Sequence, residues 1–378
     1  MRVLHTSDWH LGRSFHRESL LAAQEAFVDH LVETVRAEKV DVVAVAGDVY
    51  DRALPPVDAV ALCNDALRRL VSAGARVVLI SGNHDSARRL GFGADLIEAG
   101  GVHLRTDPAA VARPVLVAGV AFYGIPYLEP ELVRGPWELA ERSHSAAIGH
   151  AMSLIRADVA WRGGAAVVLA HAFVTGGEAS DSERDISVGG VAHVPVTAFE
   201  GVGYVALGHL HGRQRMSDTV RYSGSPLAYS FSEADHLKGS WLVDLSPDRP
   251  EGPLGAEFVP APVPRPLARL RGPIDELLTS PRFDSRTDHW LRVTLTDPVR
   301  PKGAMERLRA RFPHTLSLAF DPEGGHDRAV SRPRLAGRPE IDVALDFVRE
   351  VRGEAADDEE RRLLGQAIEA CRVKESMA

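Results

Sequence analysis

The sequence predicts an α/β protein built as a four-layer α/β/β/α sandwich, followed by a small α+β capping module and a helical tail. Three observations carry this. Short apolar strand runs alternate with helix-period patterns through the first half of the chain. Later strand runs, near Arg221–Ser223 and Ser240–Asp244, lack intervening helices, which fits two sheets packed face to face with helices outside. Beyond a proline-rich stretch the charge changes sign twice.

The elements follow in order. Arg2–Thr6 reads as a strand, and Leu20–Glu38 as a helix with Leu20, Ala23, Phe27, Leu31 and Val35 on one face. Val42–Ala46 is a continuous apolar strand. Pro55–Ser72 is helical, with Pro55 and Pro56 suited to its first turn. Arg76–Ile80 is another buried strand. Further strands are expected at Val115–Ala118, Ala121–Ile125, Ala165–Ala170 and Tyr204–Leu207, with one long helix at about Pro136–Trp161.

Pro260, Pro262, Pro264 and Pro266 then stiffen a short stretch that reads as a domain boundary. Residues 1–259 form the first expected domain. Residues 1–264 carry a net charge of −9, residues 265–338 carry +6, and residues 339–378 carry −5. The basic module 265–338 is expected to hold strands at Trp290–Leu295 and Thr315–Phe320 around a helix at Pro301–Phe312. The tail 339–378 reads as two amphipathic helices, Glu340–Val351 and Asp357–Arg372, turning at Gly353.

The whole chain of 378 residues has a formal charge of −8, against a uniformly cationic coat for nucleic acid. Hydrophobic residues at 45% exclude wholesale disorder. Cys63 and Cys371 are the only cysteines, which excludes a disulfide framework and a thiolate zinc site. No apolar run reaches the roughly 18 residues of a membrane helix, and Asp8 and His10 interrupt any signal-peptide pattern. A cytoplasmic protein without a membrane partner is expected. The 16 histidines call for a search for metal ligands.

That search ends at the strand ends. Asp8-Trp9-His10 follows the first strand, Gly47-Asp48-Val49-Tyr50-Asp51 the second, and Gly82-Asn83-His84-Asp85 the third. His171 and Gly208-His209-Leu210-His211 follow two more. In extended chain, residues i and i+2 share a side, so each Asp-x-His or His-x-His pair serves one centre. Ligands in open α/β sheets gather at the carboxyl ends of strands. Asp8, His10, Asp48, Asn83, His171, His209 and His211 exceed the needs of one ion. With Asp48 as a bridge they suit two, about 3.5–4 Å apart. Oxygen and imidazole donors favour manganese, iron or zinc. Such a pair suits phosphate-ester hydrolysis. His84 is the catalytic candidate, contacting the phosphate or protonating the leaving oxygen, with Asp85 to orient it.

These motifs resemble the calcineurin-like metallophosphoesterase superfamily and, within it, the bacterial SbcD nuclease family. Ser7-Asp-Trp-His-Leu-Gly12, Ser81-Gly-Asn-His-Asp85 and Tyr222-Ser-Gly-Ser-Pro226 add to the likeness. The resemblance implies one ion on Asp8, His10, Asp48 and His211, and another on Asp48, Asn83, His171 and His209. It implies Mn2+, 3′-to-5′ exonuclease and endonuclease action on double-stranded DNA ends and hairpins, and a place in DNA repair, recombination and replication at the nucleoid. It also implies a homodimer within a heterotetramer with the coiled-coil ABC ATPase SbcC. The tail helices would grip that partner, and the helices at Pro55–Ser72 and about Arg88–Ala99 would form the dimer contact. Asp51 stands where some relatives carry histidine, so it is read, with Asp85, as a supporting residue. Arg265, Arg269, Arg271, Arg282, Arg286 and Arg292 are the expected phosphate contacts of the basic module. Two rivals share the motifs: a metallophosphatase for a small molecule or phosphoprotein, and a non-enzymatic scaffold.

Overall fold

A computed structural model describes residues 1–184, 186, 193–246, 248, 252–253, 255–322, 339–352 and 354–376. Gly353 and His326 lie outside the described residues.

Period-two alternation builds the layers. In the strand Val42–Ala46, Val42 and Ala44 face a core shared with Val167, Leu169 and Ala206. Val43 and Val45 face the opposite way, toward the helices Leu21–Glu38 and Val57–Ser72. One six-stranded sheet runs Gly255–Pro260, Gly239–Asp244, Arg2–Thr6, Val42–Ala46, Arg76–Ile80, Val102–Arg105. The other runs Gln214–Arg215, Val220–Tyr222, Tyr204–Gly208, Ala166–His171, Val120–Ile125, Val115–Val117. The helix His144–Arg162 covers the outer face of the second sheet through Ala147, Ile148, Ala151, Met152 and Ile155. This is the expected α/β/β/α order.

His5 pins the layers together. Its ring nitrogens lie 3.0 Å from Tyr204 Oη and 3.0 Å from the Leu207 carbonyl, both on the facing sheet. Burial depresses its pKa to about 3, so it stays neutral and structural.

Several boundaries differ from expectation. The long helix begins at His144, not Pro136. Ser143 caps it by accepting from the Ala146 amide at 3.1 Å, and a separate short helix, Pro130–Arg134, precedes it. The intervening segment carries Pro136, whose ring prevents a continuous helix. The strands Val102–Arg105, Gly255–Pro260 and Leu267–Gly272 are not evident from alternation. All three border turn or proline-rich sequence.

A third sheet, all parallel, orders Leu267–Gly272, Trp290–Leu295 and Thr315–Phe320. The helices Ile274–Thr279 and Ala304–Arg311 cover it, and Leu277, Leu291, Val293, Leu308 and Phe312 fill its core. Leu267, Trp290 and Leu316 join Phe15, Leu20, Leu227, Tyr229 and Phe231 in an apolar seam against the sandwich. Met1–Phe320 is one compact unit, and Asp321–Ala378 a second that contains the helices Glu340–Arg352 and Asp358–Ser376. No helix among the described residues is long and apolar enough to cross a membrane.

Phe312 is fully buried. Phe312→Ala should therefore cost the small module about 3–5 kcal/mol. Amide exchange along Leu291–Leu295 in the full chain should accelerate by more than about 100-fold, the factor that such a loss of stability implies for opening.

Candidate metal centre

The strand ends converge, though not through extended i, i+2 pairs: the strands stop at Thr6 and Gly208, and Asp8, His10 and His209 lie beyond them in left-handed backbone. Asp8, His10, Asp48, His171, His209 and His211 are all buried, and Asn83 and His84 are half-buried beside them. Three groups have ligand atoms within 4.8 Å of one another: Asp8, His10 and His211; His10, Asp48 and His84; Asp8, Asp48 and His171.

The backbone is strained to achieve this. Asp8, His10, Asp48 and His209 all have positive φ, at 53°, 45°, 49° and 109°. Non-glycine residues rarely adopt this region, and such outliers gather at functional sites. Two glycines make room. Gly47 has φ +90°, and a Cβ there would sit 2.5 Å from His171 Nδ1. A Cβ on Gly82 would sit 2.1 Å from Asp48 Oδ1.

Hydrogen bonds fix which imidazole nitrogens face inward. His171 donates from Nδ1 to the Ala46 carbonyl at 2.9 Å, leaving Nε2 as a bare acceptor. That Nε2 stands 2.9 Å from Asn83 Oδ1, itself an acceptor, and 3.6 Å from Asp48 Oδ2. His211 donates from Nδ1 to Ser182 Oγ at 2.6 Å, and that hydroxyl in turn donates to Glu233. The bare His211 Nε2 faces His10 Nε2 at 3.1 Å. Among the described residues, His10 Nδ1 and Asn83 Nδ2 are buried without a hydrogen-bond partner.

The electrostatics are equally unfavourable without positive charge. Burial and the Asp48 carboxylate push Asp8 well above the usual carboxylate range. The same causes raise Asp85 to about 7. Burial, reinforced by neighbouring imidazoles, holds His10 and His209 well below the usual histidine range, and burial lowers His171. Neutral imidazoles with converging lone pairs, crowded carboxylates and orphaned buried polar atoms form a donor set that fits divalent cations.

His84 is held differently. Its amide donates to Asp48 Oδ1 at 2.9 Å, and its Nδ1 lies 2.8 Å from the Asp51 carbonyl. The ring stands edge-on to His10, centroids 4.7 Å apart, and borders a 610 Å³ cavity. Asp85 does not orient it. Both Asp85 oxygens accept backbone amides, from Gly82 at 2.9 Å, Tyr50 at 2.9 Å and Val49 at 3.1 Å, which ties two strand ends together. Asp51 Oδ1 lies 3.7 Å from His10 Nδ1 and 3.4 Å from Arg13 Nη1.

Sequence reasoning missed the supporting residues. Gln24 donates to the His10 carbonyl at 2.8 Å, and Tyr229 donates to the Trp9 carbonyl at 2.6 Å. Glu183 accepts the His211 amide at 2.7 Å. Glu233 also pairs with buried Lys238, which donates to the His211 carbonyl at 2.8 Å. None of these residues sits in a motif with fixed spacing, so only tertiary structure reveals them.

Of the basic-module arginines, Arg265 lies 2.9 Å from His314, Arg269 2.9 Å from Asp235, Arg282 2.8 Å from Glu276 and Arg286 3.1 Å from His289. Arg271 and Arg292 are exposed. Arg269 and Arg292 are register partners on adjacent strands and share a sheet face.

Comparison with known families decides the class. Residues 1–213 match the calcineurin-like phosphoesterase family model. The chain belongs to the calcineurin-like phosphoesterase family. This is a hydrolase family whose fold implies divalent metals. Residues 263–352 match the SbcD C-terminal model, described as the type 5 capsule protein repressor C-terminal domain. Together the matches support an SbcD-type phosphoesterase. A solved structure from Thermus thermophilus aligns at 14% identity over 68% of this chain and 98% of its own, with TM-score 0.41. A dimetal phosphatase from Danio rerio aligns at 13% identity over 69% and 99%, with TM-score 0.40.

The Asp85 shift yields a test in this phosphoesterase. A carboxyl with a pKa of about 7 in the cation-free fold is largely protonated at pH 6. Cation charge beside Asp48 removes a cause of that shift, so cation binding should expel the proton. His10, His171 and His209, held neutral by burial, have none to give. Calorimetry at pH 6 in buffers of different ionisation enthalpy should show proton release from Asp8 and Asp85, both raised in the cation-free fold.

Proposed function

We propose that this chain is an SbcD-type nuclease that hydrolyses phosphodiesters at double-stranded DNA ends and hairpins. The observation that carries the reading is the pairing of the buried donor set with a half-buried His84 whose Nδ1 is engaged by the Asp51 carbonyl and whose ring borders an open cavity. One cation would lie with Asp8, His10, Asp48 and His211, and the other with Asp48, Asn83, His171 and His209. Mn2+ suits these oxygen and imidazole donors. Two such cations would supply positive charge for the phosphoryl oxygens and acidify the attacking water.

The chain's own residues do the rest. His84 Nδ1–H donates a hydrogen bond to the Asp51 carbonyl, which leaves Nε2 as the ring nitrogen available to substrate. When protonated, Nε2 donates to a phosphoryl oxygen or to the departing 3′ or 5′ oxygen. Asp48 fixes the His84 backbone through its Oδ1 and presents Oδ2 to the imidazoles of His10 and His171.

Residues 1–259 would be the catalytic domain, 265–338 the module that positions DNA, and 339–378 the tail that binds a coiled-coil ATPase of the SbcC type. Exposed Phe347, Val351 and Leu363 on the tail helices support a docking role, since they present apolar surface to water. Exposed Val57, Val60, Phe92 and Leu96, on and after the helix Val57–Ser72, support a homodimer contact within a heterotetramer. Exonuclease action from the 3′ end and endonucleolytic hairpin opening complete the reading, in DNA repair at the nucleoid.

End-labelled hairpin duplex should be digested with Mn2+ and left intact with chelator. His84→Ala should still bind two cations yet lose about 10²–10⁴-fold in rate. Rapid phosphomonoester turnover with no DNA cleavage would favour a phosphatase instead. A His84→Ala variant that cuts normally would remove His84 from catalysis.

A further inference from the structure

Arg13 occupies an unusual position. Its side chain is only 16% exposed, and its guanidinium carbon lies 4.8 Å from the Tyr229 ring centroid. Nη2 donates to the Ser182 carbonyl at 3.1 Å. Nη1 is buried and makes no hydrogen bond among the described residues, although Asp51 Oδ1 is 3.4 Å away. A guanidinium N–H buried without an acceptor is costly, and an arriving anionic oxygen would satisfy it.

The surroundings show where that oxygen would come from. Arg13 and Ser14 border two cavities at once. One, of 610 Å³, contains His84, Asn83, Arg52 and Arg184. The other, of 290 Å³, is bordered by Arg292 of the parallel-sheet module, with His16 and Ser230. Arg13 is therefore the junction between the His84 cavity and a cationic path toward that module. The carboxylates present offset only part of this charge. Asp85 is saturated by backbone amides, Asp51 is shared among Arg13, Arg52 and His10, and Asp181 faces only the smaller cavity.

Building on the nuclease reading, we propose that Arg13 joins a phosphate track that runs from Arg52 and Arg184, through Arg13, to Arg292. Its ligand is the backbone of the nucleic-acid strand being cut, and Arg13 holds the phosphate adjacent to the scissile one. A single phosphoryl group occupies only part of the 610 Å³ His84 cavity and needs no Arg292. A strand with repeating phosphates can engage arginines in two adjoining cavities at once. Arg13 and Arg292 position the strand and do not touch the reacting atoms.

The test uses the full-length protein and a fluorescent hairpin duplex in chelator, with affinity measured by anisotropy between about 50 and 200 mM salt. Arg13→Ala and Arg292→Ala should each lower the slope of log K against log salt by about 0.7–0.9, the value for one lost phosphate contact. Arg13→Lys should restore the slope, because it keeps the charge. Arg307→Ala, on the helix Ala304–Arg311, should leave the slope unchanged. Arg292 is exposed, so its variant tests the track even where Arg13→Ala fails to fold. Wild-type slopes in both alanine variants, on DNA that the parent binds and cuts, would overturn the track alone. A parent chain that binds no DNA and hydrolyses phosphomonoesters or a phosphopeptide would overturn the nuclease reading and the track together.

Discussion

The molecule is organised around one electrostatic problem. Asp8 and Asp48, both buried, and half-buried Asp85 are brought together at the ends of parallel strands beside His10, His171 and His209, which burial holds neutral. Like charges in a weakly screened interior raise one another's pKa and oppose the fold that assembles them. Amides compensate part of this. The His209 amide donates to Asp8 at 3.0 Å, the His84 amide to Asp48, and three amides to Asp85. Divalent cations would compensate the remainder. The converging lone pairs of His171, His211 and Asn83 leave space of the right chemical kind for them.

The rest of the structure supports that concentration of charge. Two sheets locked by an apolar layer and by His5 supply rigid strand ends. Left-handed backbone at Asp8, His10, Asp48 and His209 turns those ends inward. The buried Lys238–Glu233 pair is costly to desolvate. Its position explains its presence: through Ser182 it fixes the tautomer of His211, and Lys238 holds the His211 carbonyl. On the open side, Arg13 and His84 face cavities, so the site is closed below and accessible above.

Much of this was legible in the sequence. The strands Arg2–Thr6, Val42–Ala46, Arg76–Ile80, Trp290–Leu295 and Thr315–Phe320 fall where continuous apolar or alternating runs place them. The residues around the centre were legible because each follows a strand at short, fixed spacing. Boundaries set by a single cap or proline were less so, as at Ser143 and Pro136. The supports from Gln24, Ser182, Glu183, Glu233 and Lys238 were not legible, because ordinary polar residues gain a role only through contacts distant in sequence. The module arginines show the converse limit. Net charge located a basic segment, but Arg265, Arg269, Arg282 and Arg286 engage partners in the chain, while Arg292 borders a cavity together with Arg13.

The central claim is that these strand ends exist to hold two cations through a shared Asp48. Anomalous diffraction at the manganese edge from crystals grown with Mn2+ tests it directly. Two peaks are predicted, one among Asp8, His10, Asp48 and His211, the other among Asp48, Asn83, His171 and His209. A single peak, or none within reach of Asp48, would contradict the account.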